Sequence, residues 1–76
     1  MEKITKEDII LALENKLERD VELTSHLYND LGMDSLDMAE FVTDLSDKLG
    51  SEVPEEVAEA FHTVEDVWKY VEKVQQ

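Results

Sequence analysis

One serine stands where a helix should begin. In Asp34-Ser35-Leu36-Asp37, the two aspartates have the spacing of an N-cap and its N3 partner, which predicts a helix start here. With Asp34 as the cap, Ser35 is the first helical residue and its hydroxyl is not needed for capping. Unpaired backbone N–H groups and the positive end of the helix dipole favour an anion at such a place. A phosphodiester on Ser35 suits that setting. On spacing alone, an ordinary helix-start serine is the more economical reading, because Asp-Ser pairs are common at helix starts. Nucleophilic catalysis would need a base beside the hydroxyl. His26 lies upstream in a connection and His62 precedes a later helix. Neither is at a sequence distance that demands contact, so a Ser-His-Asp triad is not expected.

The helix that Ser35 opens carries a second pattern. At about 100° per residue, Asp37, Glu40, Asp44 and Asp47 fall within an arc of roughly 80°. Met38, Phe41, Val42, Leu45 and Leu49 fall within a separate arc of roughly 100°. The helix thus has an acidic edge that starts beside Ser35 and a core face. A solvated face, such as every surface helix has, gives the same pattern. Leu36 lies off the apolar stripe, either as an exposed contact or folded back onto the preceding loop.

The elements that hold this helix are also helical. Thr5 and Asp8 form an N-cap pair, Ile4 is placed to staple onto Ile9, and Ile9, Ile10, Leu13 and Leu17 recur at helical spacing. From about Arg19 to Met33 runs a connection far longer than the usual median of about 4–6 residues. Val21, Leu23, Leu27, Tyr28 and Leu31 can pack it down, and Gly32 suggests a turn before Asp34. Gly50 ends the second helix. Pro54 suits the first turn of a short third helix carrying Val57, Ala58 and Phe61. Thr63 with Asp66 starts a fourth, faced by Val64, Val67, Trp68, Val71 and Val74. The expected fold is all-α: a small four-helix bundle with three main helices, one short helix and a long first loop.

Composition narrows the function. A chain of 76 residues is one domain, spanning 1–76. Its small core leaves little room for a deep catalytic cleft. Twenty acidic residues against seven basic ones give a net charge of −13. Phosphate backbones would repel that surface, so nucleic acid is not an expected partner; a basic protein surface or a cation is the natural complement. There are no cysteines, which excludes disulfides and zinc–cysteine sites. Neither a signal-like apolar run at Met1–Lys6 nor a membrane-length apolar segment is present. A soluble cytoplasmic monomer is the expectation.

The segment Asp30-Leu31-Gly32-Met33-Asp34-Ser35-Leu36-Asp37 resembles the prosthetic-group attachment site of the acyl carrier protein family, with its Asp-Leu-Gly, one variable residue, then Asp-Ser-Leu. Glu40 follows where that family commonly has glutamate. Glu52-Val53-Pro54 and Thr63-Val64 resemble the segments before its third and fourth helices. The likeness runs in order from Leu27 to Val71.

The resemblance implies that Ser35, flanked by Asp34 and Leu36, carries phosphopantetheine donated from coenzyme A by a phosphopantetheinyl transferase. The chain would then be a non-catalytic handle, holding acyl groups as thioesters for acyl-transfer, ketosynthase and related enzymes of fatty acid or polyketide-like biosynthesis. Asp37, Glu40, Asp44 and Asp47 become the edge that docks onto basic patches of those enzymes. An acyl pocket would be lined by Val42, Leu45, Leu49, Val53, Ala58, Phe61 and Val67, with Thr43 near its rim. Thr43, Ser46, Lys48 and a shorter first loop depart from the fatty-acid-synthesis pattern, which bears on the enzymes served. Three rivals explain less. A binding module without a prosthetic group accounts for the charge but not for the ordered match around Ser35. A calcium loop needs acids at alternate positions and a glutamate at position twelve, which Asp30–Asp37 lacks. A phosphoserine at Ser35 suits the surrounding acids but adds less mass than phosphopantetheine. No specific metal site is expected.

Overall fold

The computed structural model describes residues 3–75; Met1, Glu2 and Gln76 lie outside the described residues. Four helices follow one another: α1 (Lys6–Leu17), α2 (Ser35–Leu49), α3 (Glu55–Glu59) and α4 (Val64–Gln75). The all-α fold with three main helices, one short helix and a long first loop is the one expected from the pattern.

Three of the four starts are closed by reciprocal caps. At α1, Thr5 Oγ1 accepts from the Asp8 N–H at 3.1 Å while Asp8 accepts from the Thr5 N–H at 2.9 Å. Aspartate is shorter than the usual glutamate at this position, yet it closes the box. At α2, Asp34 accepts from the Asp37 N–H at 2.8 Å and Asp37 from the Asp34 N–H at 3.4 Å. At α4, Thr63 Oγ1 accepts from the Asp66 N–H, and the Asp66 carboxylate accepts from the N–H groups of both His62 and Thr63, each bond being 3.1–3.2 Å.

The short helix differs from the expectation in two respects. Pro54 flanks α3 rather than sitting in its first turn, and Phe61 lies beyond its end. The Pro54 carbonyl accepts from the Val57 and Ala58 N–H groups, so the helix starts one residue later. After a single turn, the N–H groups of Ala60 and Phe61 bond three residues back to Val57 and Ala58. This tighter winding rolls Phe61 into the core, where it is 2% exposed.

Burial of Ile9 and Leu13 from α1, Met38, Phe41 and Leu45 from α2, and Val64, Val67 and Val71 from α4 builds one apolar cluster, each side chain contributing about 1.5–3 kcal/mol. Val21, Leu27, Leu31 and Met33 of the long connection join it. That connection is also held by backbone bonds to the start of α4. The Leu27 N–H donates to the His62 carbonyl at 2.7 Å, the Val64 N–H to Ser25 at 3.1 Å, and the Glu65 N–H to Leu23 at 2.9 Å. His26 winds the loop into a turn: its Nδ1 accepts from the Tyr28 and Asn29 N–H groups, and its carbonyl accepts from Asp30 and Leu31. Gly32, at φ 69°, then reverses the chain into Met33 and Asp34. At the other end of the bundle, the Gln75 amide accepts from the Ile4 N–H at 2.7 Å and donates to the Ile4 carbonyl at 2.9 Å.

Two stability changes follow. Glu18 ends α1 in the left-handed region at φ 54°, a conformation that costs a side-chain-bearing residue about 1–2 kcal/mol. Its negative charge also opposes the helix dipole there. Glu18→Gly should raise stability by about 1 kcal/mol in urea unfolding. Asp66 is partly desolvated, which favours its neutral form, but the hydrogen bonds it accepts from Thr63 and His62 outweigh this and hold its pKa below the ordinary value. Stability from this group is therefore present above the ordinary carboxylate range and is lost as pH falls through the lowered pKa. Asp66→Ala should cost about 1 kcal/mol at pH 7, and the gap to wild type should shrink in acid.

Candidate functional site

Ser35 is the first residue of α2, and its side chain is exposed. The cap geometry explains why it is free. Asp34 takes the N–H of Asp37, so Ser35 has no capping duty. Among the described residues, no hydrogen bond engages its hydroxyl, its own N–H or that of Leu36. A phosphodiester on Ser35 Oγ would meet those two amides and the positive end of α2. The Asp34 and Asp37 carboxylates oppose an anion, but both are turned to backbone donors. The residues present therefore fit a phosphate-linked group at this serine. Leu36 projects into solvent at 66% exposure, which decides for the exposed alternative over folding back.

Ser35 also lines a cleft of about 640 Å³, within the about 300–1,000 Å³ usual for small-molecule sites. The cleft runs between α2 and α3. Its apolar lining includes Met38, Ala39, Val42, Val53 and Ala58, and Thr43, Asp47, Glu52, Glu55 and Glu59 add polar groups. Of the pocket residues expected from sequence, the structure brings Val42, Val53 and Ala58 to this cleft, with Thr43 beside them. Phe61 and Val67 are sealed in the core. Leu45 faces a separate cavity of about 280 Å³ between α1 and α2. Leu49 is half-buried and lines neither. Sequence reasoning missed Tyr28, Met38, Ala39 and Ser46 as lining residues. The signal was available: Ser35, Ala39, Val42 and Ser46 form a helical stripe of mostly small side chains leading from the serine. Ser46 has a further task. Its hydroxyl accepts from the Val53 N–H at 3.1 Å and ties the cleft's far wall to α2.

The acidic edge of α2 lies at the surface, with Glu40, Asp44 and Asp47 exposed and Asp37 half-buried. It is not bare. Lys16 of α1 reaches across to Glu40 with Nζ and Oε1 2.8 Å apart. The hydrogen bond to Glu40, opposed by slight desolvation and aided by the charges of Glu40, Asp37 and Asp44, raises the Lys16 pKa above its ordinary value. This pairing across twenty-four positions has no periodic signature in the sequence.

Neither histidine is among the residues lining the Ser35 cleft. His26 Nδ1 is occupied by two backbone donors, and the His26 and His62 rings sit 6.1 Å apart. Among the described residues, no helix is long and apolar enough to cross a membrane.

Comparison with known proteins agrees with this geometry. Residues 7–71 match the family model described as a phosphopantetheine attachment site. Among solved structures, the fold is similar to that of a Mycobacterium tuberculosis protein assigned as an acyl carrier protein, with a TM-score of 0.79 and 30% sequence identity over 90% of this chain and 95% of that one. Carrier domains of this kind are non-catalytic in general and work with phosphopantetheinyl transferases and acyl-processing enzymes. The chain belongs to the acyl carrier protein family, whose members carry covalently attached phosphopantetheine.

Proposed function

We propose that Ser35 is the attachment residue and that the chain holds acyl intermediates for enzymes of fatty acid or polyketide-like biosynthesis. The observation that carries this reading is the serine's position: exposed, unengaged, first in α2 and at the mouth of the α2–α3 cleft. In the attachment step, Ser35 Oγ forms a bond to the phosphorus that bears the pantetheine half of coenzyme A. The pyrophosphate bond breaks and the nucleotide half leaves. The hydroxyl proton goes to a base on the transferase, since among the described residues no side-chain base engages Ser35. Once attached, the arm supplies a thiol that bears the acyl group as a thioester.

The chain's own residues orient and shelter. Asp34 and Asp37 fix the first turn of α2 and so fix the direction in which the arm leaves. Met38, Ala39, Val42, Val53 and Ala58 offer an apolar wall, where an acyl chain escapes the cost of about 0.8 kcal/mol per exposed methylene. Asp37, Glu40, Asp44 and Asp47 form the edge that basic partner surfaces meet, with attraction that salt weakens. We read the protein as a cytoplasmic monomer comprising a single carrier domain over residues 1–76.

Incubation of the apo protein with coenzyme A and a broad-specificity phosphopantetheinyl transferase should add one phosphopantetheine mass, and Ser35→Ala should abolish it. An adduct that survives the substitution overturns the assignment. With an octanoyl group on the arm, methyl NMR shifts should change most at Val42, Val53 and Ala58 relative to the unacylated arm. Changes restricted to residues around Ser35 would show that the chain stays outside the cleft.

A further inference from the structure

Lys16 is the cation that forms an ion pair with the acidic edge of α2, which also has Lys48 beside Asp44 and Asp47 at its far end. Its ammonium bonds Glu40 at 2.8 Å, and the charges of Asp37 and Asp44 also act on it. Lys16 side-chain exposure is 23% against 56% for Glu40, so the lysine lies along the surface while the carboxylate stands outward. With Ala39, Glu40, Thr43 and Asp44, it borders a shallow groove on the outer side of α2. The only other ion pair among the described residues, Lys69 with Glu65 at 3.8 Å, lies within α4 and touches none of this.

We propose that Lys16 is a specificity-determining residue for partner docking: it holds Glu40 in an internal ion pair that competes with an approaching basic protein surface. This rests on the docking reading of the acidic edge given above. Two physical effects combine. The ammonium lowers the negative potential over the middle of the edge, which slows electrostatic steering. It also uses one oxygen of the Glu40 carboxylate, Oε1, so a partner cation that grips both oxygens gains fully there only by displacing Lys16. An exposed pair of this type is weak, so it can be opened. A partner with a well-matched cation opens it, and one that relies on diffuse positive charge gains less. Lys16 thus filters basic surfaces by local fit.

The test is transferase kinetics on the apo chain at about 0.05 M and 0.5 M ionic strength, with coenzyme A and a transferase that has a basic docking face. Removing one positive charge close to the docked cations should raise kcat/KM for Lys16→Gln by about two- to threefold at the lower ionic strength. The gain should vanish at the higher one, where screening is nearly complete. Lys69→Gln makes the same change in net charge and should leave the rate near wild type. Lys16→Arg preserves the pair and should behave as wild type. Glu40→Gln should lower kcat/KM more in the Lys16→Gln background than in the wild type, because the carboxylate is then free to be used. Equal effects of Lys16→Gln and Lys69→Gln, or a Glu40→Gln loss that is the same in both backgrounds, overturn the inference while leaving the docking reading intact. If Asp37→Asn, Glu40→Gln and Asp44→Asn all leave the salt-dependent rate unchanged, the docking reading itself fails.

Discussion

The whole arrangement depends on how the chain between Leu17 and Ser35 is held. A connection of this length is costly to order, and a loose one would leave Ser35 without a fixed place. Three backbone bonds from Leu23, Ser25 and Leu27 to the start of α4 supply the constraint. They act where Leu27 is fully buried, so the polar and apolar anchors coincide. His26 tightens the following turn through its own ring nitrogen, and Gly32 turns the chain into Asp34. The direction of α2, and with it Ser35, follows from contacts made on the opposite side of the loop.

Charge is the second constraint. A net charge of −13 on 76 residues opposes compaction. The fold answers by giving several acids structural duties at helix starts, where donors are unpaired and the dipole is positive. Asp8, Asp34, Asp37 and Asp66 all accept backbone N–H bonds in this way. Glu14 does so for Val21 and Asp30 for His26. No polar side chain is buried among the described residues. The buried side chains are all apolar, and the acidic side chains stay at the surface, where backbone donors hold several of them.

Local signals in the sequence carried much of this. The cap pairs at Thr5, Asp34 and Thr63 locate three helix starts because capping is a short-range interaction. The unused hydroxyl of Ser35 follows from the same spacing. The core face of α2 was legible too, but it is one continuous stripe. Periodicity does not tell Val42, at the edge of the stripe, from Leu45, which faces α1. Phe61 escaped because a single-turn helix has no period to extend. Lys16–Glu40 and Ser46–Val53 escaped because they join elements whose packing no local rule fixes. Ser46 illustrates the difficulty well. In sequence it is only a departure from a family pattern, whereas in the fold its hydroxyl holds the segment that walls the cleft.

The two bonds between Gln75 and Ile4 bring the beginning and the end of the helical body together. Entry and exit of the polypeptide therefore share one spot on the bundle. A body of this shape can be set into a longer polypeptide as an inserted module, with both linkers leaving from one place. It can also be circularly permuted, since a short bridge would close the existing gap. Such a bridge would leave the serine-bearing end of α2 covalently untouched, so the carrying function and the connectivity of the chain are separable properties of this fold.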